Sequence, residues 1–409
     1  MSLYTSLAIL LFSALALVVP SGFSLGAVML LAGSVYLIKR SARRFSLGTE
    51  DKILILVFAL YFVVNSAINL MHHAPGAEYD PPSRFLLAIP ALLLLLAYPP
   101  RPAAFWAGLA VGGIGAVLLS IWQLKILHLD RPGGSTNPIQ YGNIAMVLAI
   151  TCACGISWAK NQRRAGVWIL LLIVGAASGL AASFISGSRG SWIAAPVCVL
   201  PALIMLIRDG NGAMVRNLIA AGVVVIAALW MIPQTGIKNR IEQAVTEGQA
   251  YAQKNDTKTA DTSVGARLEM WRVGVLIAPE RLALGWGKEG MMKRKAELVE
   301  QGLAAPIVLE HTHLHNEYLD ALVKRGIPGL LVLLILYGTP LALFARHLRD
   351  GPQERRYALA GLMLMLSYIA FGLTQAFMTH NNGVMILAFM TAALWAQMRT
   401  AQAGTASAS

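Results

Sequence analysis

Apolar runs of roughly 18 or more residues recur along almost the whole chain, each long enough to cross a ~30 Å hydrocarbon core as a helix. Hydrophobic residues make up 56% of the 409 and charged ones 13%, against about 25% charged in soluble domains, which excludes a soluble globule. The expected fold class is therefore all-α, a polytopic membrane bundle.

Hydropathy places about twelve spans, centred in 3–19, 22–38, 53–71, 85–98, 103–124, 143–159, 166–187, 190–207, 217–232, 327–345, 357–377 and 383–398. The first reads as a membrane helix and not a cleaved leader, because no Lys or Arg precedes it and another span follows at once. With both termini in the cytoplasm, the inner loops carry sixteen Lys and Arg, whereas the short outer loops hold only Arg84, Lys125, Arg131 and Arg189. The positive-inside rule fixes that orientation. The organisation expected is spans one to nine in 1–232, an extracytoplasmic loop subdomain in 233–326, spans ten to twelve in 327–398 and a cytoplasmic tail, 399–409.

The long loop reads as largely helical. Ile237, Ile241 and Val245 have amphipathic spacing; 253–261 is a polar loop; Leu268, Trp271 and Val275 make an apolar helical face that Pro279 ends. Gly285 and Gly287 mark a turn, and a last helix is expected over 312–324.

The net charge of +13 is not arranged as a basic stripe with interleaved aromatics, so nucleic acid is not an expected partner. Membrane lipids are. Cys152, Cys154 and Cys198 lie in apolar runs and make no disulfide or metal framework. The sequence has no P-loop and no dinucleotide fingerprint.

Arg189 is the single charge in 166–207, set in the hairpin Ser186-Gly187-Ser188-Arg189-Gly190-Ser191. It reads either as a snorkelling helix-end arginine or as a phosphate ligand among backbone N–H groups. Arg267 lies beside the apolar face of its helix, and either pairs with Glu269 or Glu310 or faces a ligand. Arg272 and Arg281 are weaker candidates of the same kind. So are Arg84, Arg131, Asn137, Gln140 and Tyr141 on outer loops, which serve equally as interfacial anchors.

The cluster His311-Thr312-His313-Leu314-His315-Asn316 permits three readings. His311 and His315 stand one helical turn apart, as zinc ligands can, but without a third ligand; all three histidines can be solvated; or one is a general base with an imidazole neutral near pH 7.

His315-Asn316, then nine residues, then Gly326-Ile327-Pro328-Gly329, resembles the H-[NSQ]-x9-G-x-x-[GTY] motif of bacterial O-antigen ligases, whose layout of about twelve spans and a late periplasmic loop is also similar. The resemblance implies transfer of polysaccharide from undecaprenyl pyrophosphate to lipid A–core on the periplasmic side of the inner membrane, completing lipopolysaccharide. It implies an inverting glycosyltransferase that needs neither metal nor other cofactor, with His315 catalytic and Arg189 and Arg267 on the donor pyrophosphate. Asn316, His313, His311, Arg272, Arg84 and Arg131 are supporting candidates; Gly326 and Gly329 are structural. A polymerase of the same family shares the donor. From another class, a lipid-linked-sugar transporter should carry ionisable groups near the membrane midplane, whereas most charges here sit at loops.

Overall fold

The computed structural model describes residues 1–39, 46–208, 216, 237–254 and 260–406. Among these the chain is all-helical, without strands. The long helices are α1 (Ser2–Ala14), α2 (Phe23–Lys39), α3 (Thr49–Met71), α4 (Asp80–Ala97), α5 (Pro102–Lys125), α6 (Pro138–Cys154), α7 (Ala165–Ile185), α8 (Ala194–Arg208), α9 (Ile237–Lys254), α10 (Ser263–Ile277), α11 (Gly287–Glu300), α12 (Glu317–Arg346), α13 (Pro352–Gly372) and α14 (Asn381–Ala406).

Among the described residues seven helices are long and apolar enough to cross a membrane: Thr49–Met71, Gly76–Ala97, Pro102–Lys125, Pro138–Ala159, Ala165–Ile185, Glu317–Arg349 and Asn381–Gly404. Ser2–Ala14, Phe23–Leu37 and Arg189–Met205 are shorter apolar helices. The expected ninth span, 217–232, lies outside the described residues, as do 255–259 of the expected polar loop.

Bundle order follows from which helices can bury every face. α14 is apolar nearly all round and sits at the centre, with Val384, Ile386, Ala388, Met390, Leu394 and Trp395 fully covered. It packs on α4 and α13; α13 packs on α12, and α12 on α3. On the other flank α7 lies against α5 and α6, with small residues at the seam, so that a Cβ on Gly113 would strike the Gly175 carbonyl. At the C-terminal end of α14, buried Asp51 accepts from Trp395 Nε1 at 2.7 Å and Arg399 Nε at 3.1 Å.

At the other end, 260–326 builds a second core from Ala266, Met270, Val273, Ile277, Met291, Leu298, Val308, Leu314 and Val323. The apolar face of α10 therefore differs from the expected one. Ala266, Met270, Val273 and Ile277 point inward at helical spacing, while Val275 is 64% exposed and Leu268 and Trp271 are half-buried. Several small and aliphatic residues share this helix, and the partner core selects among its faces. α9 joins through Tyr251 Oη to Glu269 Oε2 (2.5 Å) and leaves Val245 exposed.

The last expected helix of this unit starts later than predicted. Residues 311–316 are not helical, and α12 begins at Glu317, because the Asn316 side chain accepts from Leu319 N–H and caps it. α12 is broken at Gly326, whose φ of 66° and ψ of −165° interrupt the spiral. A Cβ there would lie 2.5 Å from Leu282 O, so this position needs glycine for its dihedral and for the close approach of 282–285. Ile327 N–H donates to Leu282 O, and Trp286 N–H to Val323 O, which locks the turn at Gly285 and Gly287 against the break.

Candidate functional site

His315 is 7% exposed and has φ +50°, a left-handed conformation costly for a residue with a Cβ. Its surroundings hold it there. Trp271 Nε1 donates to its carbonyl, Asp320 Oδ1 accepts from Leu314 N–H, and Asn316 caps α12 immediately after it. From below, fully buried Lys295 donates to the Val308 and His311 carbonyls at 3.2 and 2.9 Å. Burial pulls the Lys295 ammonium down to about 8, yet it remains the staple of the loop that carries the histidines.

The His311 and His315 rings do meet, at 4.9 Å between centroids, but through a folded-back loop and not a helical turn. His313 stands edge-on to His315 at 4.3 Å, and His380 lies 5.6 Å from His313. Among the described residues no three His, Cys, Asp or Glu side chains form a metal-holding group.

Gln375, in the connection between α13 and α14, was not singled out by the sequence. Its Oε1 lies 2.6 Å from His315 Nδ1 and its Nε2 3.3 Å from His380 Nε2. A neutral imidazole donating Nδ1–H to that carbonyl keeps its lone pair on Nε2. The connection is tied to the histidine motif by Asn316 Nδ2 on Leu373 O, Glu317 Oε2 accepting from Met378 N–H, and Tyr318 Oη on Ile369 O.

Burial, then the Arg267 and His311 charges, bring His315 down to about 3, against a smaller upward pull from Gln375. Burial likewise lowers His313 to about 2 and His380 to about 4. All three imidazoles are therefore neutral at pH 7 and can accept a proton.

Arg267 projects from α10 into the same region. Burial first, then the charges of Arg189 and Arg131, lower its proton affinity. The charges of Arg189 and Arg131, each on a separate segment, thus reach Arg267, and that of Arg267 reaches His315 and His311. The hairpin carrying Arg189 is braced by Ser183 Oγ to Ser191 Oγ (2.8 Å) and by Arg131, whose Nε and Nη2 donate to the Ser186 and Gly187 carbonyls. Gly190 abuts the Thr374 hydroxyl, next to Gln375, so the hairpin arginine and the histidine rest on one connection. Like charges gathered this way favour an anion with several oxygens.

The remaining candidates fall elsewhere. Arg272 grips Glu269 with Nε at 2.8 Å and Nη2 at 2.7 Å and also donates to Leu303 O. Burial pushes the Glu269 carboxyl up, but Arg272, Tyr251 and the Ala305 amide outweigh it and hold it below its ordinary range. Glu269 is thus held by Arg272 and not by Arg267. Arg84 pairs with Asp80 one turn away on its own helix, and Arg281 stacks on Trp286 at 4.3 Å. Asn316 is a helix cap, and its amide reaches Leu373. Asn137 caps α6, and buried Tyr141 donates to Ala116 O. Gly329 packs against Arg325 within α12.

Residues 175–334, which hold Arg189, Arg267, the three loop histidines and both motif glycines, match the family model described as O-antigen ligase. Over 383 residues, 92% of this chain and 94% of the relative, the protein is 30% identical to an uncharacterised protein of Haemophilus influenzae. Over 231 residues, 56% of this chain and 51% of the relative, it is 22% identical to the O-antigen ligase of Escherichia coli K12. A chain with this site, these apolar helices and these relatives is a multi-pass membrane protein that belongs to the O-antigen ligase family.

Proposed function

We propose that the protein transfers a polysaccharide from undecaprenyl pyrophosphate to a sugar of lipid A–core, on the periplasmic side of the Gram-negative inner membrane. The observation that carries this reading is Arg267, within electrostatic reach of Arg131 and Arg189, acting on a neutral His315 whose Nδ1 faces Gln375. The arginines suit the pyrophosphate of the donor, and His315 Nε2 suits the acceptor hydroxyl. As the hydroxyl oxygen attacks the anomeric carbon, its proton passes to Nε2. The anomeric C–O bond to pyrophosphate breaks on the opposite face, and the bond's electrons leave with the phosphate, so the anomeric configuration inverts. Because pyrophosphate is already an activated leaving group, alignment and charge stabilisation supply most of the catalysis. In this reading about twelve spans place both termini in the cytoplasm and 233–326 in the periplasm.

Gln375 is expected to act by positioning. Gln375→Leu should lower transfer by about ten- to a hundred-fold, by freeing the imidazole. In the unliganded enzyme His315 is the base only when deprotonated, so its contribution to kcat/KM is lost as pH falls through a value near 3, not near 6.5. Between about pH 8 and 5 this group should leave kcat/KM flat. Gln375→Glu sets a carboxylate against Nδ1, raises the imidazole pKa and should move the acidic limb upward. A wild-type limb at 6.5 that Gln375→Glu leaves in place would rule out this assignment.

The function is tested with purified protein, a defined undecaprenyl-linked glycan and lipid A–core, each acceptor supplied separately. Product that requires lipid A–core, and forms equally in EDTA, is the expected result. Growth of the lipid-linked glycan without lipid A–core would make the protein a polymerase, and loss of transfer in EDTA restored by a divalent cation would return the histidines to metal binding.

A further inference from the structure

At the end of the bundle opposite the histidines, a cavity of about 320 Å³ lies between the start of α13, the last turns of α14, the turn between α6 and α7, and Pro102 at the start of α5. Arg356 lines it. Arg356 lies sixteen residue steps before Gly372, about 24 Å along α13, so this cavity is distinct from the site described above.

Arg356 is 7% exposed. Its Nε donates to Gln353 O one turn back in its own helix, and among the described residues no carboxylate forms an ion pair with it. Glu354, two positions earlier, acts on it only through space. A guanidinium withdrawn from water without a contacting counter-ion is costly, and such groups are normally paired. Here the cavity supplies the place for the partner. Its lining also includes Asn161, Gln162, Gln353 and Gln397, whose side-chain amides are able to donate to an oxygen, and the aromatic residues Trp158 and Tyr357. Gln397 and Gln162 are themselves anchored, by Nε2 on Pro100 O at 2.8 Å and on Trp158 O at 3.2 Å, so this wall is preformed. Exposed Lys160, Arg163 and Arg164 stand on the same turn and favour approach of a negative charge.

We infer that this cavity is a binding site for a phosphate-bearing anion, held by Arg356 and the surrounding amides. A volume near the lower end of the ~300–1,000 Å³ typical of ligand sites fits a headgroup or a small phosphate ester and is too small for a nucleotide sugar. The same chemistry is presented by an anionic lipid headgroup and by a free phosphate, and the two are separable by experiment.

The test is thermal unfolding of the full-length protein in detergent, with inorganic phosphate, with dioleoylphosphatidylglycerol or with dioleoylphosphatidylcholine, at matched ionic strength. Wild type should gain several degrees from phosphate or from phosphatidylglycerol, and less from the zwitterionic lipid. Arg356→Gln should lose that gain, with at least a ten-fold weaker apparent affinity. Because this variant removes a buried group and can fold poorly, Thr400→Trp provides a second test: it fills the cavity from an exposed position and keeps Arg356. It too should abolish the gain. Stabilisation by inorganic phosphate without lipid identifies a free phosphate as the ligand, and stabilisation by phosphatidylglycerol alone identifies a headgroup; both support the site. Equal stabilisation of wild type and both variants, or none in wild type, overturns it.

Discussion

Replacing His315 by alanine should lower single-turnover transfer by about 10²–10⁴-fold, or roughly 3–5.5 kcal/mol of transition-state stabilisation, while the protein still inserts and folds. The expectation rests on the buried ring, neutral at pH 7, with Nδ1 at 2.6 Å from Gln375 Oε1. Alanine at 315 keeps the unfavourable φ of +50°, so some loss of stability accompanies it. Thermal unfolding separates the two effects, and His315→Asn, which accepts left-handed geometry more readily, should be nearly as inactive and less destabilised. His311→Ala and His313→Ala should be milder, because neither ring is held against Gln375. Near-wild-type transfer by a well-folded His315→Asn protein would remove this residue from the chemistry.

Arg267→Ala and Arg189→Ala should each cost about 10²–10³-fold, the scale of removing one preorganised donor from a developing negative charge. Lysine at 189 retains charge but lacks the planar fork that grips two phosphate oxygens, and should fall between wild type and alanine. If both arginines hold one pyrophosphate, the double alanine variant should lose less than the sum of the two free-energy losses, because either single change already misplaces the donor. Donor binding and single-turnover rates for the four proteins test this. Full additivity would mean two separate sites, and an unaltered Arg189→Ala would leave that residue as a membrane anchor. Arg267 carries a second consequence. Its charge is one cause of the low His315 pKa, so Arg267→Ala should raise the proton affinity of His315.

The all-helical class and seven apolar spans among the described residues were legible because a helix in lipid must be apolar over its whole length, and little else in a sequence looks like that. Faces within the long loop were less legible. On α10 the apolar residues are spread widely enough that Leu268, Trp271 and Val275 and the buried set Met270, Val273 and Ile277 both have helical spacing, and only the core contributed by α11 and 304–314 decides between them. The histidine motif marked its own position, but 311–316 proved to be a loop, since Asn316 caps the helix after the motif instead of lying within it. Gln375 and His380 reach His313 and His315 across about sixty residues of sequence, a separation at which no local pattern exists. One signal was available. The connector between the eleventh and twelfth expected spans falls on the same side of the expected topology as the histidine motif and holds His380 to Asn382, while Gln375 is a polar residue in the last turn of the eleventh expected span. Arg131 was in view as a weaker supporting candidate on an outer loop; its hold on the Arg189 hairpin and its reach to Arg267 depend on the fold.

The most direct measurement is the anomeric configuration, by NMR, of the linkage formed in a single turnover by the purified protein from a donor of known configuration. Direct displacement, with His315 taking the acceptor proton and the arginines holding the departing pyrophosphate, predicts complete inversion in wild type and no linkage formed at a comparable rate by His315→Asn. A product of retained configuration would contradict a single displacement and, with it, the role given to His315.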